Sequence, residues 1–275
     1  MAGKYTEAWL DGPSGHRFYT CTYPAEPPKA VVIFVPGFAD HISRYEGIHP
    51  KFAQHGFTVF AYDMRGFGRT ALDAEHRSAD EYYGKTNRLL EITDLEWWVE
   101  HVAREYPKVP IFLLGYSASP LYLLTYPPPT IVRYIVRAIS KIAPACPLPA
   151  PMPAERFSRD PAVVEALKND TLRMPRGTAQ GLDNMIGQGE ELLHEDYKYW
   201  PKDLPLLMTW GTADEVNCPK SGVEFYNKLD IEDKKLVEYE HALHDLLREV
   251  DGIPNKVLNE YFVWLESHAA ARPSL

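Results

Sequence analysis

The chain of 275 residues has few cysteines and no long apolar segment, and both absences exclude classes of protein. Its three cysteines, Cys21, Cys146 and Cys218, are odd in number and far apart, so a disulfide framework of the secreted type is not expected. No run approaches the ~20 apolar residues of a transmembrane helix. The first residues also lack the apolar core of a signal peptide. We therefore expect a cytoplasmic protein.

Positive charge is also scarce, because 29 Lys and Arg residues face 38 Asp and Glu residues, for a net charge of −9. This balance argues against a nucleic-acid-binding surface. The sequence has no GxGxxG motif, no P-loop and no spaced His, Cys and Asp cluster, so neither a cofactor nor a metal is expected. The hydrophobic content of 45% is ordinary for a globular protein, and the length suits one large domain with an insertion.

The most informative segment is residues 115–119, with the sequence GYSAS. It follows an apolar run at residues 110–114, which predicts a buried parallel strand. A strand that ends in G-x-S-x-G and turns sharply into a helix is the nucleophile elbow of α/β-hydrolases, where the serine hydroxyl stands above the sheet. Ser117 is then the candidate nucleophile. Because Ser119 replaces the last glycine, the motif is incomplete and needs support from other segments.

Two later segments give that support. A predicted strand at residues 206–210 runs into a loop that ends at Asp214, and a strand at residues 236–239 is followed by a polar loop with His244. Ser117, Asp214 and His244 follow one another in the order expected for an α/β-hydrolase triad. His241 is a competing base in the same loop. The alternative is three unrelated residues: a buried turn serine, a surface aspartate and a loop histidine.

The first third of the chain is consistent with this interpretation. An apolar strand at residues 30–35 is followed by a glycine-containing loop, where this fold places one amide of the oxyanion hole. The other amide comes from the residue after the nucleophile, here Ala118. A strand at residues 57–62 leads into a loop at 63–70, which we interpret as structural support. The predicted fold class is α/β: an α/β-hydrolase with a mostly parallel sheet, helices on both faces and an inserted cap.

These segments resemble the monoglyceride lipases and their fungal relatives, above all residues 35–41 (VPGFADH), 43–45 (SRY) and 63–68 (DMRGFG). The resemblance covers most of the chain. It implies a serine hydrolase that cleaves monoacylglycerols to fatty acid and glycerol, so that its partner is a monoacylglycerol or a similar small acyl ester. It also implies that Phe38 and Ala118 supply the oxyanion amides, and that Asp40 and Arg44 lie near the polar end of the substrate pocket. The alternative for the last two is a salt-bridged loop pair.

The chain departs from that family after the nucleophile. Tyr116 stands where the family usually has His, and Ala118-Ser119-Pro120 replaces Met-Gly-Gly. Residues 121–125 allow a turn or two of helix before the three prolines at 127–129 end it. We therefore expect that one core helix and one core strand are missing. This leaves two alternative functions: a catalytically impaired hydrolase-fold protein, or a non-lipid esterase or peptidase of the same fold.

The composition predicts three parts: residues 1–120 as the first part of the core, 121–203 as a cap and 204–275 as the second part of the core. Within the cap, residues 131–142 predict a helix with Arg133, Arg137 and Lys141 on one stripe. A basic amphipathic helix is typical of a peripheral contact with a membrane or lipid droplet. The alternative is a helix whose broad apolar side is buried against the core.

Overall fold

The structure is a computed structural model that describes residues 5–117, 125 and 128–271. It divides into two compact units, one of Met1–Ser119, Leu172–Thr178 and Glu260–Leu275, the other of Pro120–Thr171 and Ala179–Asn259. The predicted boundaries of a cap at 121 and 203 stay predictions. The strands and helices are, in chain order, β1 (Thr6–Asp11), β2 (Arg17–Tyr23), β3 (Ala30–Val35), α1 (His49–Gln54), β4 (Phe57–Tyr62), α2 (Gly68–Leu72), α3 (Arg88–Glu105), β5 (Ile111–Gly115), α4 (Thr130–Ile142), β6 (Pro147–Pro149), α5 (Pro161–Lys168), β7 (Arg176–Thr178), α6 (Ala179–His194), β8 (Leu206–Gly211), α7 (Pro219–Lys228), β9 (Lys234–Tyr239) and α8 (Ile253–Ala271).

Five strands of the first unit form a mixed sheet in the order β1-β2-β4-β3-β5, counted over the described residues. Strand β2 pairs antiparallel with both β1 and β4, while β3 pairs in parallel with both β4 and β5. Every residue of β3 and β4 is buried, as their continuous apolar sequences predict for central strands. The predicted α/β-hydrolase fold is confirmed. The strands predicted at 30–35 and 57–62 match β3 and β4.

Helix α3 packs against this sheet and completes the core of the first unit. Asn87 precedes the helix, and its side-chain oxygen accepts the N–H of Leu90 at 3.1 Å, so the helix begins where the sequence offers a cap. Trp98 and Val102, one turn apart, are fully buried. They belong to a core cluster with the strand residues Phe18, Val31, Ile33, Phe60 and Tyr62. Burial of this face, rather than helix propensity, holds α3 in place.

Strand β5 is the last strand of its sheet. It pairs with β3 on one side, with Ile33 opposite Leu113, and no strand lies on its other side among the described residues. Leu113 is consequently 54% exposed, whereas Ile33 is fully buried. An apolar residue in the middle of an open edge is what a sheet with a missing neighbour would show. The predicted short helix at 121–125 lies, apart from Thr125, outside the described residues.

In the second unit, β8 and β9 pair in parallel over six residues, from Leu206 opposite Lys234 to Gly211 opposite Tyr239. Their core contains Met208, with residues of α6 and α7 around it: Leu192, Leu193 and Phe225. Both strands end at the same edge, since they are parallel. The loops that carry Asp214 and His244 therefore leave the sheet side by side.

Helix α4 confirms the helix predicted at 131–142, but no residue of it is buried. It packs against α6, and Arg133 forms an ion pair with Glu190 at 2.6 Å. Large apolar side chains remain in solvent, namely Ile131, Tyr134, Ile135 and Ile142, which are 51–85% exposed. The sequence left open a helix whose broad apolar side is buried against the core. Within the second unit, these apolar side chains are not buried. Across the described residues, no helix has the length and hydropathy needed to span a bilayer.

Candidate active site

Ser117 lies two residues after the end of β5, with its backbone at φ +64°. A left-handed conformation is unfavourable for a residue with a side chain, and it is the sharp turn expected of a nucleophile elbow. The backbone is fixed just before the turn, because Tyr116 N–H donates to the Val35 carbonyl at 2.9 Å. The Tyr116 ring is buried against Phe34 and Tyr45, so the residue that departs from the family serves in packing.

Asp214 and His244 form a buried pair after β8 and β9. The Nδ1 atom of His244 lies 2.8 Å from Oδ2 of Asp214, and both side chains are about 95% buried. The other carboxylate oxygen, Oδ1, accepts the backbone N–H groups of Val216 and Asn217 at 2.7 and 2.9 Å. A carboxylate with all these partners is held in one orientation, and it can fix the imidazole tautomer by accepting a hydrogen bond from Nδ1–H.

His241, the competing candidate, is exposed and has φ +60°. Its backbone N–H donates to Oγ1 of Thr212, so it contributes to the turn after β9. The structure thus brings His244 onto Asp214, and it places His241 at the surface of the same loop.

Gly211 allows the two loops to come together. A Cβ atom at this position would lie only 2.3 Å and 2.4 Å from the carbonyl oxygens of Ala242 and Leu243, which no side chain could tolerate. The loops are then joined by backbone hydrogen bonds, from Thr212 N–H to Tyr239 and from Ala213 N–H to Ala242, each of 3.0 Å. Gly211 is therefore a packing requirement of the Asp214–His244 pair.

The loop after β3 comes close to the elbow. A Cβ atom on Gly37 would lie 2.8 Å from Cβ of Ser117, so only glycine fits here. Asp40 N–H donates to the Gly37 carbonyl at 3.2 Å, and Ala39 has φ +56°, which makes a tight turn around Phe38. The Phe38 ring packs edge-on against Phe67. Its predicted partner in the oxyanion hole, Ala118, lies outside the described residues.

Asp40 and Arg44 are in contact within this loop. Oδ1 of Asp40 accepts from Nη1 of Arg44 at 2.6 Å, and Oδ2 accepts from the Tyr45 hydroxyl at 2.6 Å. Both side chains of the ion pair are less than 10% exposed. These contacts favour the salt-bridged loop pair over a binding role. Their role in substrate binding stays a prediction.

Asp63 connects this loop to the one after β4. Its Oδ1 accepts the N–H of Ile42 and its Oδ2 accepts the N–H of Arg69, both at 2.7 Å. Burial raises the pKa of the Asp63 carboxyl to about 6, although His41 and the two N–H groups act in the opposite direction. Nearby, Arg65 forms a buried two-point ion pair with Asp94. The loop at 63–70 is thus a structural support.

Sequence reasoning missed the residues that hold the His244 loop. Glu249 is buried five residues after the histidine, and its Oε1 accepts the N–H of Leu243 at 2.9 Å. Arg159 provides its countercharge from 90 positions earlier in the chain. A single acidic residue in a polar loop gives no signal of burial, so only its partners in space reveal its role. Elsewhere among residues 5–117, 125 and 128–271, no group of three or more His, Cys, Asp or Glu side chains could hold a metal ion.

A left-handed serine after a parallel strand is typical of α/β-hydrolases of the serine type, and so is a buried aspartate–histidine pair after two later parallel strands. The sequence profile of the Hydrolase_4 family, described as "Serine aminopeptidase, S33", matches residues 26–118 and 117–251. The chain belongs to this family. The match comes in two segments that meet at Ser117, which is where the sequence predicts that core elements are missing.

Known proteins resemble the chain over nearly its whole length. It is 26% identical to the monoacylglycerol lipase of Mycolicibacterium smegmatis, over 98% of this chain and 99% of that protein. It is 25% identical to the monoglyceride lipase of Homo sapiens, over 92% of this chain and 88% of that protein. A crystal structure of a soluble variant of monoglyceride lipase from Saccharomyces cerevisiae, in complex with a substrate analog, superposes with a TM-score of 0.82 at 21% identity, covering 98% of this chain and 96% of that one.

The predicted resemblance to monoglyceride lipases is therefore confirmed, and so is the predicted enzyme class, a carboxylic ester hydrolase.

Proposed function

We propose that the chain hydrolyses monoacylglycerols to fatty acid and glycerol through an acyl-enzyme, with Ser117, His244 and Asp214 as a catalytic triad. The observation that carries this proposal is the buried contact of 2.8 Å between His244 Nδ1 and Asp214 Oδ2 at the ends of β8 and β9. The substrate is proposed from the names of the relatives and from the substrate analog bound to the yeast enzyme.

In the proposed reaction, Oγ of Ser117 attacks the ester carbonyl and its proton passes to Nε2 of His244. Asp214 accepts a hydrogen bond from Nδ1–H, which keeps the proton on Nδ1, leaves Nε2 free to act as a base and stabilises the imidazolium that forms. His244 then gives the proton to the glycerol oxygen as that bond breaks. A water molecule, deprotonated by His244, releases the fatty acid from Ser117. Backbone N–H groups of Phe38 and Ala118 would stabilise the oxyanion, each contributing on the order of 3 kcal/mol.

The test is hydrolysis of 1-oleoylglycerol together with labelling by a fluorophosphonate probe. We expect both in the wild-type chain and neither in Ser117→Ala, with kcat reduced on the order of 10⁶-fold. Ser119→Ala is the matched control, since it changes the neighbouring hydroxyl and leaves the nucleophile in place. Labelling that survives in Ser117→Ala and disappears in Ser119→Ala would contradict the assignment of the elbow.

One alternative is a hydrolase-fold protein that no longer catalyses, which binds lipid or a partner. The two-part family match and the open edge of β5 favour it, since both point to a shortened core. A wild-type chain that is folded by circular dichroism, yet neither labels nor turns over ester, would support this alternative and refute the first.

A peptidase or non-lipid esterase is the other alternative, and the peptidase name of the family favours it. It shares the triad, so substrate comparison must separate the possibilities. We expect kcat/KM for 1-oleoylglycerol to exceed that for aminoacyl p-nitroanilides and for feruloyl esters. The reverse order would overturn the substrate assignment and leave the triad intact.

We also propose that α4 makes a peripheral contact with membrane or lipid-droplet surfaces. Ile131, Ile135 and Ile142 lie on one exposed stripe, beside Arg137 and Lys141. An exposed apolar stripe flanked by cations suits a surface of anionic lipid. Ile135→Glu should weaken flotation with phosphatidylserine vesicles, whereas Val263→Glu, which changes an equally exposed residue of α8, should not. Equal flotation of both variants would contradict the contact.

A further inference from the structure

The His244 loop is bound by a short segment from the region predicted as the cap. Asp245 N–H, one residue after the histidine, donates to the Phe157 carbonyl at 2.6 Å. The Phe157 ring stands edge-on to the imidazole of His244, with ring centres 5.4 Å apart and planes at 85°. Oγ of Ser158 donates to the Arg248 carbonyl at 2.7 Å. Three consecutive residues, 157–159, thus contact His244 and the part of the loop that follows it.

The third of these residues, Arg159, forms the electrostatic part of the contact. Its Nε donates to both carboxylate oxygens of Glu249, at 3.2 and 3.3 Å, and its Nη1 lies 3.1 Å from Asp251. The Glu249 side chain is fully buried, and Arg159 places a countercharge against its carboxylate. The same carboxylate accepts the N–H of Leu243, the residue before His244, and that of Val250.

We infer that Glu249 and Arg159 are positioning residues for His244, and that segment 157–159 thereby couples the predicted cap to the proposed base. Glu249 fixes the backbone just before His244, through the N–H of Leu243. Phe157 fixes the backbone just after His244 and packs against the imidazole ring. Asp214 holds Nδ1 of that ring. Neither residue touches the reacting atoms; both act through the orientation of the imidazole. A displacement of about 1 Å at such a group is enough to reduce a rate about 100-fold.

The inference rests on the proposed function, and the experiment separates the two. Kinetics are measured on a soluble short-chain ester, so that lipid surfaces play no part. We expect Arg159→Ala and Glu249→Gln to lower kcat about 10- to 100-fold with little change in KM. Arg159→Lys, which keeps the charge, should retain part of the rate. Lys168→Ala is the matched control, because it breaks the 2.6 Å ion pair with Glu155 beside the same segment without touching the His244 loop.

The pH dependence of kcat/KM separates an effect on His244 from a loss of folded protein, because a loss of folded protein lowers the rate without shifting the limbs of the profile. The charged groups around His244 are Asp214, Asp245 with its partner Arg248, and the Glu249, Arg159 and Asp251 cluster. Removal of Arg159 leaves an excess of negative charge near the imidazole. The acidic limb of kcat/KM, which reports the free base, should therefore move to higher pH in Arg159→Ala and stay in place in Lys168→Ala.

A titration of His244 followed by nitrogen NMR tests the inference without an activity assay. A shifted titration of His244 in Arg159→Ala, with none in Lys168→Ala, supports the inference even if the wild-type chain hydrolyses nothing, in which case the proposed function alone fails. An active wild type whose Arg159→Ala and Glu249→Gln variants keep its kcat, acidic limb and His244 titration would overturn the inference and leave the proposed function standing.

Discussion

The open edge of β5 makes a quantitative prediction about two residues that face each other in the sheet. Leu113 and Ile33 are register partners on β5 and β3, and both are large aliphatic residues. Ile33 is fully buried, while Leu113 is 54% exposed. Truncating each to alanine therefore compares a core position with an edge position in the same layer.

Full burial of a leucine side chain contributes about 1.5–3 kcal/mol, so a side chain with half of its surface in water should lose about 1 kcal/mol on Leu113→Ala. Ile33→Ala removes the same kind of group from a closed core and should cost about 2–5 kcal/mol, because a cavity remains. The free energies of unfolding would be measured by urea denaturation at several protein concentrations.

A cost for Leu113→Ala equal to that for Ile33→Ala would refute the reasoning, since it would mean that something covers β5 in solution. Concentration dependence of that cost would then identify a second copy of the chain as the cover.

A longer chain, with a helix and strand inserted between residues 119 and 126, should be more stable than this one. In that chain, Leu113→Ala should become as costly as Ile33→Ala. Equal stability and turnover of the two chains would show that the shorter core is not damaged.

Three further outcomes are expected. Asp214→Asn should keep the fold and lower kcat about 10⁴-fold, because the amide favours the wrong imidazole tautomer; near-normal turnover would exclude Asp214 from the triad. The raised pKa of Asp63, about 6 against an ordinary 3.8, means that the folded state binds this proton more tightly, so stability should fall by about 3 kcal/mol as pH rises from about 4 to 7. Asp63→Asn should flatten that part of the stability profile, and an unchanged slope would contradict it. Cys218, half-buried four residues after Asp214, should react with bulky maleimides and slow hydrolysis, whereas Cys218→Ser should resist; equal inhibition would rule this out.

The sequence by itself determined the strands and the order of the candidate site residues. Continuous apolar runs become β3 and β4 because a central parallel strand is buried on both faces, and that pattern is local. The start of α3 at Asn87 is also local, since its side chain caps the N–H of Leu90, three residues on. The same local logic predicts that the proline run after Ser117 leaves no room for a further strand.

Tertiary structure decided what depends on partners distant in the chain. It put His244, rather than His241, on Asp214, because the parallel pairing of β8 and β9 brings one particular loop position to the carboxylate. It buried the Asp40–Arg44 pair, and it joined Glu249 to Arg159 across 90 residues. Burial and ion pairing depend on residues that are close in space and distant in the chain. The sequence around a charged residue is therefore the same whether its side chain faces water or a countercharge.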